Sequence, residues 1–449
     1  MSSVVNLREV ILGVLMEITE EGAYSHVVLR DVLDKYQYLP KRERAFITRV
    51  TEGTLENMLL LDFVIESFSK VPVYNMKPLI RNLLRISVYQ LRYMDSVPDS
   101  AVCNEAVKIA ARHGFYNLKG FVNGVLRTAA REMDSIVWPD RREDPEKYLS
   151  VTYSMPVWIL RKWMAQFGIE AAEKICRGFM EEKGTFVRCD FSKASRQEII
   201  ESLTDQGIEV KEHPYLDYAL EISSYNYLQA VNAFREGWIF VQDVSSMLVG
   251  EAAAPNWGDT CIDVCAAPGG KSMHLAQKLQ GSGYVEARDI SEHKVKQMQE
   301  MIDRSGAINI RARIQDATIQ DEESIGKADI VLADVPCSGL GVIGRKPDLK
   351  YRLKEQDLKD IVELQKKIVS ASVQSVKPGG YFMYSTCTVN KHENVEMVRW
   401  MCENLPLEEV PFEGMPEELK DSLVSEGSIQ LLGGEHECDG FFIALLRRK

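Results

Sequence analysis

Two thiols and one carboxylate stand out by type and setting. Cys337 follows Asp334 in Ala333-Asp334-Val335-Pro336-Cys337-Ser338-Gly339-Leu340-Gly341, and Cys387 lies in Tyr384-Ser385-Thr386-Cys387-Thr388. Each motif follows an apolar run that reads as a strand. Both sulfurs are therefore expected at strand C-terminal ends, the rim where open α/β sheets bind ligands. A single buried cysteine is usually inert packing; a pair on one rim beside an acid suggests covalent chemistry. A pyrimidine is one target that needs it. Its C5 is a poor nucleophile, but a thiolate adding to C6 gives an enamine-like intermediate with carbanion character at C5, which can take a methyl group from a sulfonium donor. That route requires a thiolate, a proton or hydrogen bond at N3, and a base for the C5 proton. An ordinary thiol, with a pKa near ~8.5, is only roughly 3% ionised at neutral pH, so a cation is needed nearby. Lys271 is the candidate, and Asp334 suits the N3 contact if it shares a proton. Chemistry alone leaves open which cysteine attacks. Methylation of an exocyclic amine is disfavoured, because it needs no thiol and uses an Asp/Asn-Pro-Pro-aromatic turn where this chain has Asp-Val-Pro-Cys.

The donor would sit on Cys261-Ile262-Asp263-Val264-Cys265-Ala266-Ala267-Pro268-Gly269-Gly270-Lys271, a strand running into a small-residue turn and a helix. Small residues let a ligand approach the backbone, and the helix start offers free N–H groups. A phosphate-binding P-loop would need Gly where Cys265 stands, and a dinucleotide GxGxxG is absent. Asp289 closes the next strand, where an acid accepts hydrogen bonds from ribose hydroxyls. A nucleoside ligand without pyrophosphate fits this pattern, and S-adenosylmethionine is one.

The elements that must position these residues follow from periodicity. Thr260–Val264, Gly283–Ile290, Ile308–Ile314, Ala328–Val335 and Gly380–Thr386 alternate with helical windows, which implies a parallel sheet covered by helices on both faces. Ile429–Leu432 and Phe441–Leu446 are expected as an antiparallel hairpin at its edge. Residues 1–135 read as all-helical: Leu7, Val10, Ile11, Val14 and Ile18 line one face, and Phe46, Val50, Leu55, Leu59 and then Leu79, Leu83, Ile86, Tyr89 continue the spacing. A polar stretch, 136–148, is expected as a linker. Residues 149–235 read as a small mixed subdomain, with strands near Thr185–Cys189 and Glu209–Lys211 around a helix at Arg196–Gln206. Residues 236–449 form the α/β domain.

Composition sets outer limits. The chain has 449 residues, 45% hydrophobic and 27% charged, with nine cysteines and no CxxC pair. It is long enough for roughly three domains and matches neither a disordered chain nor a disulfide scaffold. No apolar run approaches the ~18 residues of a membrane span, and Met1–Glu9 lacks the marks of a secretory leader. Reduced thiols in a cytoplasm are expected. The net charge of −12 disfavours nucleic acid at face value, but eleven acids against one lysine fall between Glu403 and Asp439. Outside that region the chain is nearly neutral, with basic stretches at Ala101–Arg131 and Gly344–Lys354 that could meet a phosphate backbone.

Cys265–Lys271, Asp334–Cys337 and Ser385–Cys387, in this order, resemble the Sun/RsmB-type RNA cytosine-C5 methyltransferases. Val97–Arg131, with Asn104-Glu105-Ala106-Val107 and Gly120-Phe121-Val122-Asn123-Gly124-Val125-Leu126-Arg127, is similar to the NusB-like RNA-binding domain that members acting on 16S ribosomal RNA carry. The resemblance implies a multidomain chain: an all-α NusB-like bundle, a small α+β RNA-recognition subdomain and a Rossmann-like class I methyltransferase domain. It implies that Cys265, Ala266, Ala267, Pro268, Gly269, Gly270 and Lys271 line the S-adenosylmethionine turn, that Asp289 takes the ribose, that Asp316 lies near the adenine, and that Asp334 contacts cofactor and base. Cys387 is then the nucleophile and Cys337 assists product release. Arg345 to Tyr351 becomes a basic loop beside the RNA; Lys271, Arg345, Lys346 and Lys350, with Arg112, Lys119 and Arg127 of the helical part, are the expected RNA contacts. The implied partner is small-subunit ribosomal RNA, met by a monomer without metal or membrane. The rival readings are the same chemistry on transfer or large-subunit RNA, and a NusB-like RNA-binding factor with a silent methyltransferase domain.

Overall fold

In the computed structural model, which describes residues 5–181 and 184–449, the apolar spacing of the first third folds into seven α-helices: Leu7–Thr19, Ser25–Lys35, Lys41–Glu56, Met58–Phe68, Pro78–Tyr93, Asp99–Arg112 and Lys119–Glu132. The leader expectation rests partly on residues 1–4, which lie outside the described residues. Pro78 opens its helix, where its missing N–H costs nothing. This helix is the most enclosed of the bundle. Leu83, Leu84, Ile86, Val88 and Tyr89 are buried against Ile11, Leu15, Val50 and Leu61, and Arg85 closes a two-pronged pair on Asp62 at 2.7 and 2.6 Å.

The helical unit runs further than the sequence suggested. It takes in residues up to Met180, including helices at Pro145–Thr152, Val157–Phe167 and Ile169–Met180, and a separate segment, Ile343–Lys354. The expected linker is held at two points: Ile136 is buried, and the Trp138 ring packs 5.6 Å from Phe63 and 4.8 Å from the Arg92 guanidinium. Ser154 Oγ accepts the Leu59 N–H at 2.7 Å.

The second unit holds two sheets. Strands β1 (Thr185–Cys189), β2 (Glu209–Glu212), β3 (Ala219–Ser223) and β4 (Ile239–Val241) pair antiparallel in the order β2-β3-β1-β4. Helix Arg196–Thr204, opened by a Ser195/Glu198 capping box, buries Ile199 and Leu203 with Val187, Leu220 and Ile222 of this sheet. The fourth strand lies beyond residue 235, so the small sheet extends past the expected boundary.

The larger sheet contains β5 (Thr260–Asp263), β6 (Tyr284–Asp289), β7 (Ile310–Ile314), β8 (Ala328–Asp334), β9 (Val376–Thr386), β10 (Leu407–Glu409), β11 (Leu423–Ser425), β12 (Ser428–Leu431) and β13 (Phe441–Arg448). Its order is β11-β12-β13-β9-β8-β5-β6-β7, with β10 on β13. β9, β8, β5, β6 and β7 run parallel, and β13 is antiparallel to β9. The expected C-terminal hairpin exists as β12–β13, but β13 lies inside the sheet and β11 extends it. The acid-rich region supplies β10 to β12, and its Glu408 pairs with Arg447. The chain leaves β5 toward β6 and β7, then returns to β8 on the other side. The switch point therefore lies between the C-terminal ends of β5 and β8, where such sheets open a crevice. Among the described residues no helix is long and apolar enough to cross a membrane, and no group of three or more His, Cys, Asp or Glu side chains could hold a metal ion.

Candidate active site

The turn after β5 is built from its own buried acid. Asp263 has no solvent exposure; it accepts the Ser272 hydroxyl at 2.6 Å and the Cys265 N–H at 3.3 Å. Burial pushes its pKa up to about 7. These bonds fold Val264–Gly269 back onto helix Gly270–Lys278. Gly269 sits at φ +105°, a backbone conformation that strains any residue with a Cβ. The result is a small-residue cradle ending in free helix N–H groups.

At the end of β6, Asp289 is buried and accepts the Ser291 N–H at 2.9 Å, with Lys294 Nζ 3.8 Å from its other oxygen. After β7, Asp316 accepts both the N–H and the hydroxyl of Thr318, at 2.8 and 2.7 Å, and these bonds lower its pKa. A small-residue turn and acids closing successive parallel strands suit a nucleoside, so the residues present fit S-adenosylmethionine.

Across the switch point, Asp334 ends β8. Its Oδ2 accepts from Lys271 Nζ at 2.7 Å and its Oδ1 from Ser385 Oγ at 2.8 Å. The side chain thus links helix Gly270–Lys278, β8 and β9. Lys271 keeps its charge: burial works against it, but Asp334, then Cys387 and Asp263, raise its pKa above the usual lysine value. The ammonium also lies 5.2 Å from the Phe441 ring.

Cys337 and Cys387 meet, with Sγ atoms 3.2 Å apart. Both are partly exposed. The hydrogen bond to Cys387, followed by burial, holds the Cys337 thiol well above its usual pKa. Of the two thiols, Cys387 is the one that acts on the Lys271 charge, helping to raise the lysine's pKa. Either sulfur of this pair could be the donor, so the contact itself does not choose the nucleophile.

Several residues that hold the pair were not singled out from the sequence. Ser338, Gln365, Asn390, Glu393 and Asn394 are all buried. Gly341 N–H donates to the Cys387 carbonyl at 3.1 Å, and a Cβ at Gly341 would run into the Gly440 carbonyl. Asn394 accepts from Thr386 at 2.7 Å and donates to the Thr388 carbonyl at 3.0 Å. In sequence, Asn390 to Asn394 reads as an ordinary polar loop.

One expected RNA contact is corrected. Lys350 is 3% exposed; its ammonium donates to the Glu56 carbonyl at 2.8 Å, at the end of helix Lys41–Glu56. Burial pushes its pKa down to about 8. A helix C-terminus leaves carbonyls unpaired and favours a cation, which explains why this lysine turns inward. Asp348 is buried beside it, accepting from Ser25, and Tyr351 bonds Ser154 at 3.0 Å. The stretch 345–351 is therefore an anchored segment of the helical unit rather than a free basic loop; Arg345 and Lys346 remain exposed. Arg127 is exposed, Lys119 lies 4.2 Å over the Tyr116 ring, and Arg112 is paired with Glu9 and Glu105. Lys271 is committed to Asp334.

Known proteins match along the whole chain. Residues 251–447 match the family model "16S rRNA methyltransferase RsmB/F", residues 5–131 the NusB family and residues 155–227 a ferredoxin-like domain of RsmF/B-like methyltransferases. The probable ribosomal RNA small subunit methyltransferase B of Bacillus subtilis is 36% identical, with 99% of each chain covered. Its Synechocystis counterpart is 30% identical, covering 99% of this chain and all of the relative. The crystal structure of PH0851 superposes over the full length of both chains with a TM-score of 0.82 at 25% identity. A structure of NSun6 from Pyrococcus horikoshii shares the fold over 65% of this chain and 98% of its own, with a TM-score of 0.56 at 22% identity.

Proposed function

The chain belongs to the RsmB/F family of 16S rRNA methyltransferases, and from that premise we propose that it methylates C5 of a cytosine in small-subunit ribosomal RNA through a covalent bond from Cys387 to C6. The cofactor is S-adenosylmethionine, which supplies an electrophilic methyl group when bound on the 265–271 turn beside Asp289 and Asp316. The carrying observation is the pair of sulfurs 3.2 Å apart next to the Lys271–Asp334 ion pair.

The residues divide the work. Cys387, ionised beside Lys271, adds to C6. Asp334, held by the charged Lys271, shares a proton with N3 and stabilises it as the ring takes up electrons. C5 accepts the methyl group, a base removes its proton, and Cys387 leaves as thiolate with Cys337 assisting release. One methyl cation enters the ring and one proton leaves it. A base reaches this rim only when unstacked, which costs a few kcal/mol in a duplex and less in a loop, so a loop or weakly paired site is favoured. Exposed Arg127, Arg345 and Lys346 suit phosphate contacts that position the RNA without reading it. The reading carries with it a single-chain cytoplasmic enzyme.

Label transfer from methyl-labelled S-adenosylmethionine onto unmodified 16S RNA, with mass-spectrometric mapping, tests it. The expected product is one 5-methylcytosine. Label appearing only on transfer or 23S RNA would move the substrate. RNA binding without any transfer would leave a silent binding factor.

A further inference from the structure

We propose that Glu393 is the positioning residue of the two-cysteine site: its buried carboxylate ties the loop of Cys337 to the loop of Cys387 and sets the separation of the sulfurs. Glu393 has no solvent exposure. Oε2 accepts the Ser338 N–H at 2.8 Å and Gln365 Nε2 at 3.1 Å; Oε1 accepts Ser338 Oγ at 2.6 Å and Asn390 Nδ2 at 2.8 Å. Ser338 is the residue after Cys337, and Asn390 lies three residues after Cys387. The same Gln365 amide donates to the Pro336 carbonyl at 3.0 Å, and Ser338 Oγ meets Thr388 Oγ1 at 2.7 Å. One side chain therefore gathers donors from both cysteine loops and from helix Asp357–Ser372 behind them.

Chemistry explains why the residue is an acid. Only a carboxylate offers two oxygens and about four acceptor sites with no donor of its own. A glutamine would turn an NH₂ group toward either the Ser338 N–H and Gln365 or the Ser338 hydroxyl and Asn390. These four partners are all neutral, so the carboxyl is buried at a desolvation cost that simple packing would not require. Burial raises its own pKa. The carboxylate also adds to the stronger effects of Cys387 and burial in keeping Cys337 a thiol.

The importance of the pair for catalysis rests on the reading above; its geometry does not, and the test separates the two. Full-length protein is treated with diamide, which takes one hydrogen from each thiol as the disulfide forms and its N=N bond becomes a hydrazine. Peptide mass spectrometry follows the Cys337–Cys387 disulfide. In Glu393→Gln it should form at least about tenfold more slowly than in the wild type, since a misplacement of about 1 Å can cost roughly 10²-fold between positioned groups. S-adenosylmethionine affinity should stay within about twofold. Ser338→Ala, which removes one bond, should show a smaller slowing and decides the matter if Glu393→Gln does not fold. Wild-type rates of disulfide formation in the folded variants would overturn the proposal. On RNA, Glu393→Gln should accumulate covalent adduct and add nothing further in a Cys337→Ala background; additive slowing would also overturn it. Slowed disulfide formation with no RNA methylation by the wild type would remove the functional reading and leave the positioning role standing.

Discussion

The sulfurs of Cys337 and Cys387 stand 3.2 Å apart although fifty residues separate them in the chain. They come from adjacent parallel strands, β8 and β9, whose register brings Asp334 opposite Ser385. The two roles proposed for them are unequal, and so should be the effects of removal. Cys387→Ala is expected to abolish methyl transfer and the covalent adduct together. Cys337→Ala should still attack but release slowly, leaving protein bound to RNA through denaturing electrophoresis. The reverse pattern would make Cys337 the nucleophile.

Among the described residues, Lys271 is the charged hydrogen-bond partner of Asp334, beside the neutral Ser385, and Cys387 acts on its charge. Lys271→Met keeps most of the stem volume and removes the cation. Alkylation of Cys387 by iodoacetamide should then require a higher pH, because the thiolate loses its favourable neighbour. A shift of one unit corresponds to about 1.4 kcal/mol, and methyl transfer at neutral pH should fall by at least about tenfold. An unchanged alkylation profile would remove Lys271 from the activation of Cys387.

The site was legible where local sequence dictates geometry. The turn 265–271 must be tight because its residues are small, and a thiol directly after an apolar run must emerge at a strand end. β5 to β9 followed from their alternation with helices. What stayed hidden depends on long-range partners. Glu393 looks like any loop acid until Ser338, fifty-five residues earlier, is placed against it. Lys350 reads as part of a basic surface until the end of helix Lys41–Glu56 offers it a carbonyl. β4, β10 and β11 have three residues each, too few to show a period of two.

His274, on the helix that begins at Gly270, is 3% exposed, and burial, then Arg188 and Lys278, holds its pKa well below 6.5. The folded protein keeps it neutral, whereas the unfolded chain protonates it below about pH 6.5. The unfolded state then binds more protons, so this contribution to stability is complete above that pH and is lost as the pH falls. The slope is up to about 1.4 kcal/mol per unit. His274→Gln should therefore lose less stability than the wild type between pH 6.5 and 5, by up to about 2 kcal/mol, whatever constant packing cost it carries. Urea denaturation across that range checks this; parallel curves would show that His274 does not titrate on unfolding.

The inward turn of Lys350 sets it apart from Arg345 and Lys346, the exposed residues proposed to meet RNA. A lysine that neutralises a phosphate releases counterions, and each such contact on single-stranded RNA contributes roughly −0.7 to the slope of log affinity against log salt. Arg345→Ala combined with Lys346→Ala should reduce the steepness of that slope by about 1.4. Lys350→Met should leave the slope unchanged, because its ammonium faces the Glu56 carbonyl rather than solvent. Its effect should instead appear in stability. Its folded pKa of about 8 lies below the unfolded value near ~10.4, so the unfolded chain holds more protons between the two. The wild type should gain stability as pH rises from about 8 toward 10, and Lys350→Met should lack that gain. Filter-binding titrations at several salt concentrations and denaturation at pH 8 and 10 read the two effects separately. A flattened salt slope in Lys350→Met would return this residue to the RNA surface.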